Sequence, residues 1–250
     1  MRARRHKRRV AKKGSGSISW HMSAALTPPA PIERVADESR PPLILVAADM
    51  ARHGGTEPGK AWAWACALAR RYTLHVVTAP AVAERCRVED VASGWHWHVT
   101  RVPQPHAMGL AYYRDYARWC RDVPRVVKGI VAAVQPVALH HIVLGSFRVL
   151  PRYDRCGVVY SLGPLGGGEA TPRELLGTAR LAWGSWIYEW ARPWLSAASA
   201  GVPSLRAVMR GSRLALGTSR ETERVLQRMG APKTGVDFPD CLPADVDPAK

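Results

Sequence analysis

The stretch "LILVAADMARHGGTEPGKAWAWACALARRYTLHVVT" (residues 43–78) decides the fold. It opens on the apolar run 43–48, which reads as a strand buried on both faces. A polar turn carrying Gly54 and Gly55 follows. The alanine- and tryptophan-rich residues 59–71 read as a helix that ends on Arg70 and Arg71, where basic groups suit the carboxyl end of the dipole. Residues 74–78 read as a second strand. Strand, turn, helix and strand in immediate succession make one βαβ unit, and such units build parallel sheets.

Outward from this unit the alternation continues. Residues 96–102, 137–143, 156–162 and 213–218 read as further strands. Residues 110–134 read as a helix interrupted at Pro124, and residues 173–210 as mainly helical. The segment 219–230 closes with a capped helix: Ser219 serves as N-cap, Glu221 and Glu223 suit the first turn, and Gly230 stops it. The expected fold is therefore α/β, a Rossmann-like parallel sheet flanked by helices. Ligands of such sheets lie beyond the carboxyl ends of the strands. The turns after residues 48, 143, 162 and 218 are the places to search.

Composition bounds the rest. With 250 residues, 47% of them hydrophobic, the chain can build a sizeable core in one or two domains. The formal net charge is +16, and residues 1–13, "MRARRHKRRVAKK", carry a large share of it without one acid. Like charges with nothing apolar to pack predict a disordered basic tail, which runs on through a Pro-rich stretch to residue 41. Such a tail can hold RNA or an anionic membrane surface, although nucleic acid is not the expected partner. No apolar segment follows it as in a signal peptide, and no apolar run is long enough to span a bilayer. The five cysteines are scattered without CxxC spacing, which argues against a disulfide framework or a zinc site and suits a reducing cytoplasm.

Three loops carry chemistry. The turn holding Gly54, Gly55, Thr56 and Glu57 lies between the first strand and first helix, where free backbone N–H groups favour an anion. It fits neither the dinucleotide fingerprint nor the P-loop spacing. A plain glycine turn with an acid at the helix start is the competing reading. In "SLGPLGGGEATPRELL" (residues 161–176), Gly166, Gly167, Gly168 and Glu169 make a close-approach loop, and Thr171 and Pro172 could open a helix. In "ALHHIVLGSFRVLP" (residues 138–151), His140 and His141 sit at a strand end and point to opposite faces, one structural and the other free to face the cleft. Adjacent ligands on one strand are poor metal geometry, so no metal is expected. Trp183, Trp186, Trp190 and Trp194 form one helical stripe, read as core or partner-facing, with peripheral attachment to an anionic bilayer as the alternative.

In order and context these loops resemble the N-terminal domain of a GT-B glycosyltransferase of the retaining, glycogen-synthase-like family 4. "GGTEPGKAWAWACALARRYTLHVVT" resembles that family's glycine-glutamate loop with its following helix and strand. "HHIVLGSFRVLP" resembles its acceptor-side histidine strand, "GPLGGGEATP" a glycine-rich loop of one bacterial branch, and "SRLALGTSRETERVLQRMGA" the end of the first domain. The resemblance covers about residues 43–231. It implies transfer of a sugar from a nucleotide-sugar donor to a glycan or lipid-linked acceptor, as in polysaccharide biosynthesis, with no cofactor or metal. By this resemblance Gly54, Gly55, Thr56 and Glu57 would contact the donor, His141 or His140 would lie near the reacting sugar, and Gly166, Gly167, Gly168 and Glu169 would line the cleft. The family's second domain carries two glutamates eight positions apart, and no such pair occurs here. Residues 232–250 resemble a shortened interdomain linker. The expectation is an acceptor-side half, truncated and weak or inactive alone or working with a separate C-terminal-domain chain, in the cytoplasm and peripheral to the membrane. A non-catalytic nucleotide- or partner-binding module held by its basic tail is the rival reading.

Overall fold

The computed structural model describes residues 40–52, 56–88, 94–102, 110–142, 146–172, 174 and 183–236. Residues 1–39 and 237–250, and with them most of the basic tail and Cys241, lie outside the described residues.

Seven parallel strands form one sheet in the order β3-β2-β1-β4-β5-β6-β7. They are β1 (Pro42–Ala47), β2 (Thr73–Thr78), β3 (His96–Val99), β4 (Ala138–Ile142), β5 (Tyr160–Leu165), β6 (Leu214–Gly217) and β7 (Thr234–Val236). This is the doubly wound Rossmann order, and its reversal point falls between β1 and β4. The six helices among the described residues are α1 (Thr56–Ala69), α2 (Pro80–Val88), α3 (Leu110–Val134), α4 (Trp183–Gly201), α5 (Pro203–Gly211) and α6 (Arg220–Arg228). Between β4 and β5 the described chain holds only a short 3-10 turn, Tyr153–Arg155.

β1 explains the two layers. Its side chains alternate: Leu43, Leu45 and Ala47 pack with Ala61, Trp62 and Ala65 of α1 and Val82 of α2. Ile44 and Val46 pack in the other cluster, which includes Trp119, Val123 and Val127 of α3, Val208 of α5 and Leu226 of α6. Both faces of the strand are thus covered, as its unbroken apolar sequence requires.

Four features depart from the sequence expectation. α3 runs through Pro124 without a break. Val123 and Val127, one on each side of it, are fully buried on the sheet. Tertiary packing on both sides outweighs the missing N–H. β5 begins at Tyr160 rather than residue 156, because Cys156 and Gly157 close the preceding turn, with Gly157 at φ +71°. β7 extends the sheet beyond Ala231 by pairing with β6 through Ala215↔Thr234. α2 had no counterpart in the sequence reading; its arginines obscured a short face carrying Val82 and Cys86.

Two of the free thiols are poor nucleophiles. Burial pushes Cys120 up to about 12 and Cys156 up to about 11. Thiolates are therefore scarce near neutrality.

Candidate functional site

At the reversal point, β1 leaves the sheet through Asp49 and Met50. Asp49 Oδ1 accepts from the Met50 N–H at 2.8 Å and from Arg85 at 2.6 Å. Arg85 also donates to the Met50 carbonyl at 2.7 Å, and Ala51 N–H reaches the Pro58 carbonyl at 3.2 Å. These bonds fix the strand exit against α2 and the start of α1. α1 begins at Thr56, three residues earlier than the sequence suggested, so Glu57 lies in its first turn. There the carboxylate favours the helix dipole. Gly54 and Gly55 lie outside the described residues, as does the side chain of Thr56. Lys60, one turn on, is buried.

Tyr112 lies in the first turn of α3. Burial raises its hydroxyl pKa first, and the charges of Glu57, the neighbouring Tyr113 and Asp49 push it further in the same direction. The charges of both carboxylates thus reach the Tyr112 hydroxyl. Carboxylates accept and a neutral phenol can also donate, the chemistry that recognises sugar hydroxyls.

The two histidines of β4 do point to opposite faces. His140 pairs in register with Leu45 and His141 with Val46. Both are buried, at 6% and 0% exposure, so neither opens to the cleft as one was expected to do. His140 Nδ1 lies 2.8 Å from Ser161 Oγ, and Trp64 of α1 stacks on its ring at 4.7 Å. His141 Nδ1 lies 2.8 Å from the Tyr153 hydroxyl. Burial holds His140 down to about 4, with the Gly163 backbone acting in the opposite sense. Burial, and then His140, holds His141 down to about 3. Both are neutral at pH 7. They can exchange hydrogen bonds, but they bring no positive charge to a phosphate.

The glycine loop after β5 forms a second polar cluster. Glu169 does not turn outward. Its Oε1 accepts from the hydroxyls of Thr218 at 2.7 Å, Thr222 at 2.8 Å and Ser219 at 3.1 Å. Its Oε2 accepts from the Gly167 N–H at 2.8 Å and from Arg192 at 3.3 Å. Its pKa is lowered to about 2: burial pushes it up, but the hydroxyl and backbone hydrogen bonds outweigh burial. The carboxylate thus sits at the N-terminus of α6, where Ser219 is the N-cap and accepts from the Thr222 N–H, as the sequence implied.

Gly167 and Gly168 have local reasons. Gly167 sits at φ +100°. A Cβ on Gly168 would lie 2.5 Å from the Thr222 Cα and 2.7 Å from its N. Gly168→Ala should therefore destabilise the fold by about 2–3 kcal/mol, since backbone cannot yield as a side chain can. A urea midpoint that drops at unchanged slope would bear this out; an unmoved midpoint would refute it.

Arg148, which the sequence reading did not single out, and Arg192 complete the cluster. Arg148 donates at 2.7 Å to the Gly167 carbonyl and at 2.7 Å to Ser196 of α4. Arg192 joins Glu169 to Glu189, and Glu189 accepts from Thr171 at 2.7 Å. The Thr171 hydroxyl is thus directed to α4. The only available signal for Arg148 was a lone charge inside "SFRVLP".

Among the described residues no group of His, Cys, Asp or Glu could hold a metal ion, and no helix is long and apolar enough to cross a membrane.

Thirteen chains of solved structures match this one in structure. One is a sucrose-phosphate synthase from Thermosynechococcus elongatus, with 8% identity and TM-score 0.38, covering 82% of this chain and 90% of that chain. Another is a UDP-glucosyltransferase from Polygonum tinctorium, capable of glucosylating indoxyl and solved with 3,4-dichloroaniline. It has 12% identity and TM-score 0.42, and the match covers 83% of this chain and 53% of that chain. No protein-family model matches the chain, and no curated protein matches it in sequence.

Proposed function

We propose that the chain is the acceptor-side half of a retaining glycosyltransferase, moving a sugar from a nucleotide-sugar to a glycan or lipid-linked acceptor. The observation that carries this reading is the placing of Asp49 at the exit of β1 and Glu57 in the first turn of α1, beside the β1/β4 reversal point, the ligand position of a doubly wound sheet. The motif order noted in the sequence supports it. In this reading Gly54, Gly55 and Thr56 meet the donor diphosphate through backbone N–H groups, beside the first turn of α1. Asp49, Glu57 and Tyr112 hold sugar hydroxyls. His140 and His141, neutral and buried, keep the end of β4 in shape and offer hydrogen bonds there. Gly166, Gly167, Gly168 and Glu169 fix the opposite lip by tying it to α6. A second nucleotide-binding domain supplies most of the donor contacts, and no metal or cofactor enters.

The test is release of nucleoside diphosphate from a panel of nucleotide-sugars with candidate acceptors, with and without a candidate second-domain chain. Turnover is expected in at least one pairing, and Tyr112→Phe should lower kcat/KM about tenfold. Nucleotide binding with no turnover in any pairing would favour the rival reading, a non-catalytic nucleotide- or partner-binding module.

A further inference from the structure

Three histidines meet at one edge of the sheet. His75 of β2 pairs in register with His96 of β3, and His98, two residues on, lies opposite Val77. Val77 belongs to the core cluster that includes α3, so the three imidazoles share that face. His75 is buried, at 7% exposure, and its Nδ1 lies 3.1 Å from His98 Nε2. Its ring is 4.7 Å from that of His96 and 5.3 Å from that of His98, with interplanar angles of 18° and 23°. Rings so nearly parallel make a stack and not the converging donors of a metal site.

β3 is four residues long and stands last in the strand order, so among the described residues its ladder runs to β2 alone. On the opposite face Trp97 packs with Trp95, which reaches Trp62 of α1. The bond between His75 and His98 needs one nitrogen to accept, and it fails once both rings are protonated. Two stacked imidazolium rings also repel each other. The neighbouring elements bring no carboxylate to relieve them. β1 sets Ile44 beside His75. α3 carries two acids, and both are engaged: Asp115 with Arg114 and Arg118, Asp122 with Arg125 and the Arg101 N–H. Its other charged groups, Arg121 and Lys128, are exposed cations. The charges that act on His75 are those of His96 and His98.

We propose that this stack is an acid-sensitive latch: at neutral pH it holds β3 to β2, and in weak acid the edge strand parts from the sheet. Burial, and then His96 and His98, hold His75 down to about 4; burial, and then His96, lower His98 as well. Once β3 parts, His75 meets water and regains the ordinary value of 6.5. The closed strand is therefore fully favoured above pH 6.5 and loses that advantage as pH falls from 6.5 toward 4. Between pH 7.5 and pH 5, His75 alone raises the open population about 25-fold. In the chain β3 lies between α2, whose Arg85 holds Asp49, and α3, whose first turn carries Tyr112, so its release loosens supports of the candidate site on both sides. The inference rests on β2 and β3 and not on the glycosyl-transfer reading, and its test requires no turnover.

Amide hydrogen exchange of the full chain would be followed at pH 7.5 and pH 5, at a temperature where the sheet stays folded at both, with rates corrected for the intrinsic effect of pH. The amides to watch are those of β3 that bond to β2 and that of Thr100, whose N–H reaches the Thr78 carbonyl at 3.0 Å. We expect their protection to fall about 25-fold at pH 5. In His75→Gln the fall should shrink to about threefold or less, and His98→Gln, which leaves His75 in place, should also reduce it. His141→Asn should leave it unchanged, because His141 lies in β4 at the middle of the sheet. Equal protection of β3 at both pH values in wild type would overturn the proposal, as would an undiminished fall in both His75→Gln and His98→Gln. So would a fall that matches that of the β1 amides and disappears in His141→Asn instead, an outcome that assigns the exchange to unfolding of the whole sheet.

Discussion

Glu169→Gln is expected to cost nearly as much stability as Glu169→Ala, about 2–3 kcal/mol in either case. Both carboxylate oxygens act as acceptors: three hydroxyls converge on one, and a backbone N–H and a guanidinium on the other. An amide must turn its NH2 toward one of these donor sets, so the swap that keeps shape loses the bonds. The side chain is one-third exposed, and water moderates the loss. For a domain of this size the change lowers Tm by about 5–10 °C. Because the folded pKa is about 2 against an ordinary 4.5, the stabilisation is complete above pH 4.5 and disappears between there and pH 2. Calorimetry of the three proteins at pH 7 and pH 3.5 reads this out. A Gln variant as stable as wild type at pH 7 would mean that Glu169 is not held in this network.

The second large effect lies in a higher acid window. His140 and His141 titrate near 4 and 3 in the folded chain, below the ordinary histidine value of 6.5. The unfolded chain therefore binds more protons between those values, and stability falls as pH drops through 6.5 toward 4. At pH 5 each histidine costs about 2 kcal/mol. Together they lower Tm by about 10 °C relative to pH 7.5. His141→Asn, which keeps a polar atom for the Tyr153 hydroxyl, should be less stable at pH 7.5 but flatter between pH 7.5 and 5. An equally steep pH profile in that variant would remove His141 as a source of acid sensitivity. The two windows separate the histidines from Glu169, whose stabilisation begins to be lost only below pH 4.5.

The sequence made the scaffold legible because the period of its apolar residues changes with the element. The run 43–48 is covered on both faces and reads as uninterrupted hydrophobicity, and α6 is bracketed by Ser219 and Gly230. What it hid was decided by contacts distant in the chain. Nothing near Glu169 announces that Thr218, Ser219 and Thr222, about fifty residues on, will satisfy it. Three glycines in a row suggested ligand access, yet Gly168 is small because the backbone of Thr222 passes it. Tyr112 was one aromatic among several on α3 until the fold brought the charges of Glu57 and Asp49 to bear on it. The tryptophan stripe was visible by spacing alone, but which way it faced depended on Arg192 and Ser196 finding partners beneath it.

The order of the strands also has a consequence for synthesis. β1 leaves the ribosome before β2 and pairs with it across one helix, but its other edge waits for β4, as the pairing Leu43↔Ala138 requires. About ninety residues must be made before that edge is covered, and the closure of so long a loop slows its capture. Until then a fully apolar strand, Ile44 and Val46 included, offers one row of unpaired backbone groups. The central strand of the finished sheet is therefore an edge strand for much of translation, and that is the stage at which a nascent chain depends most on chaperones or on its own charged start to stay apart from its neighbours.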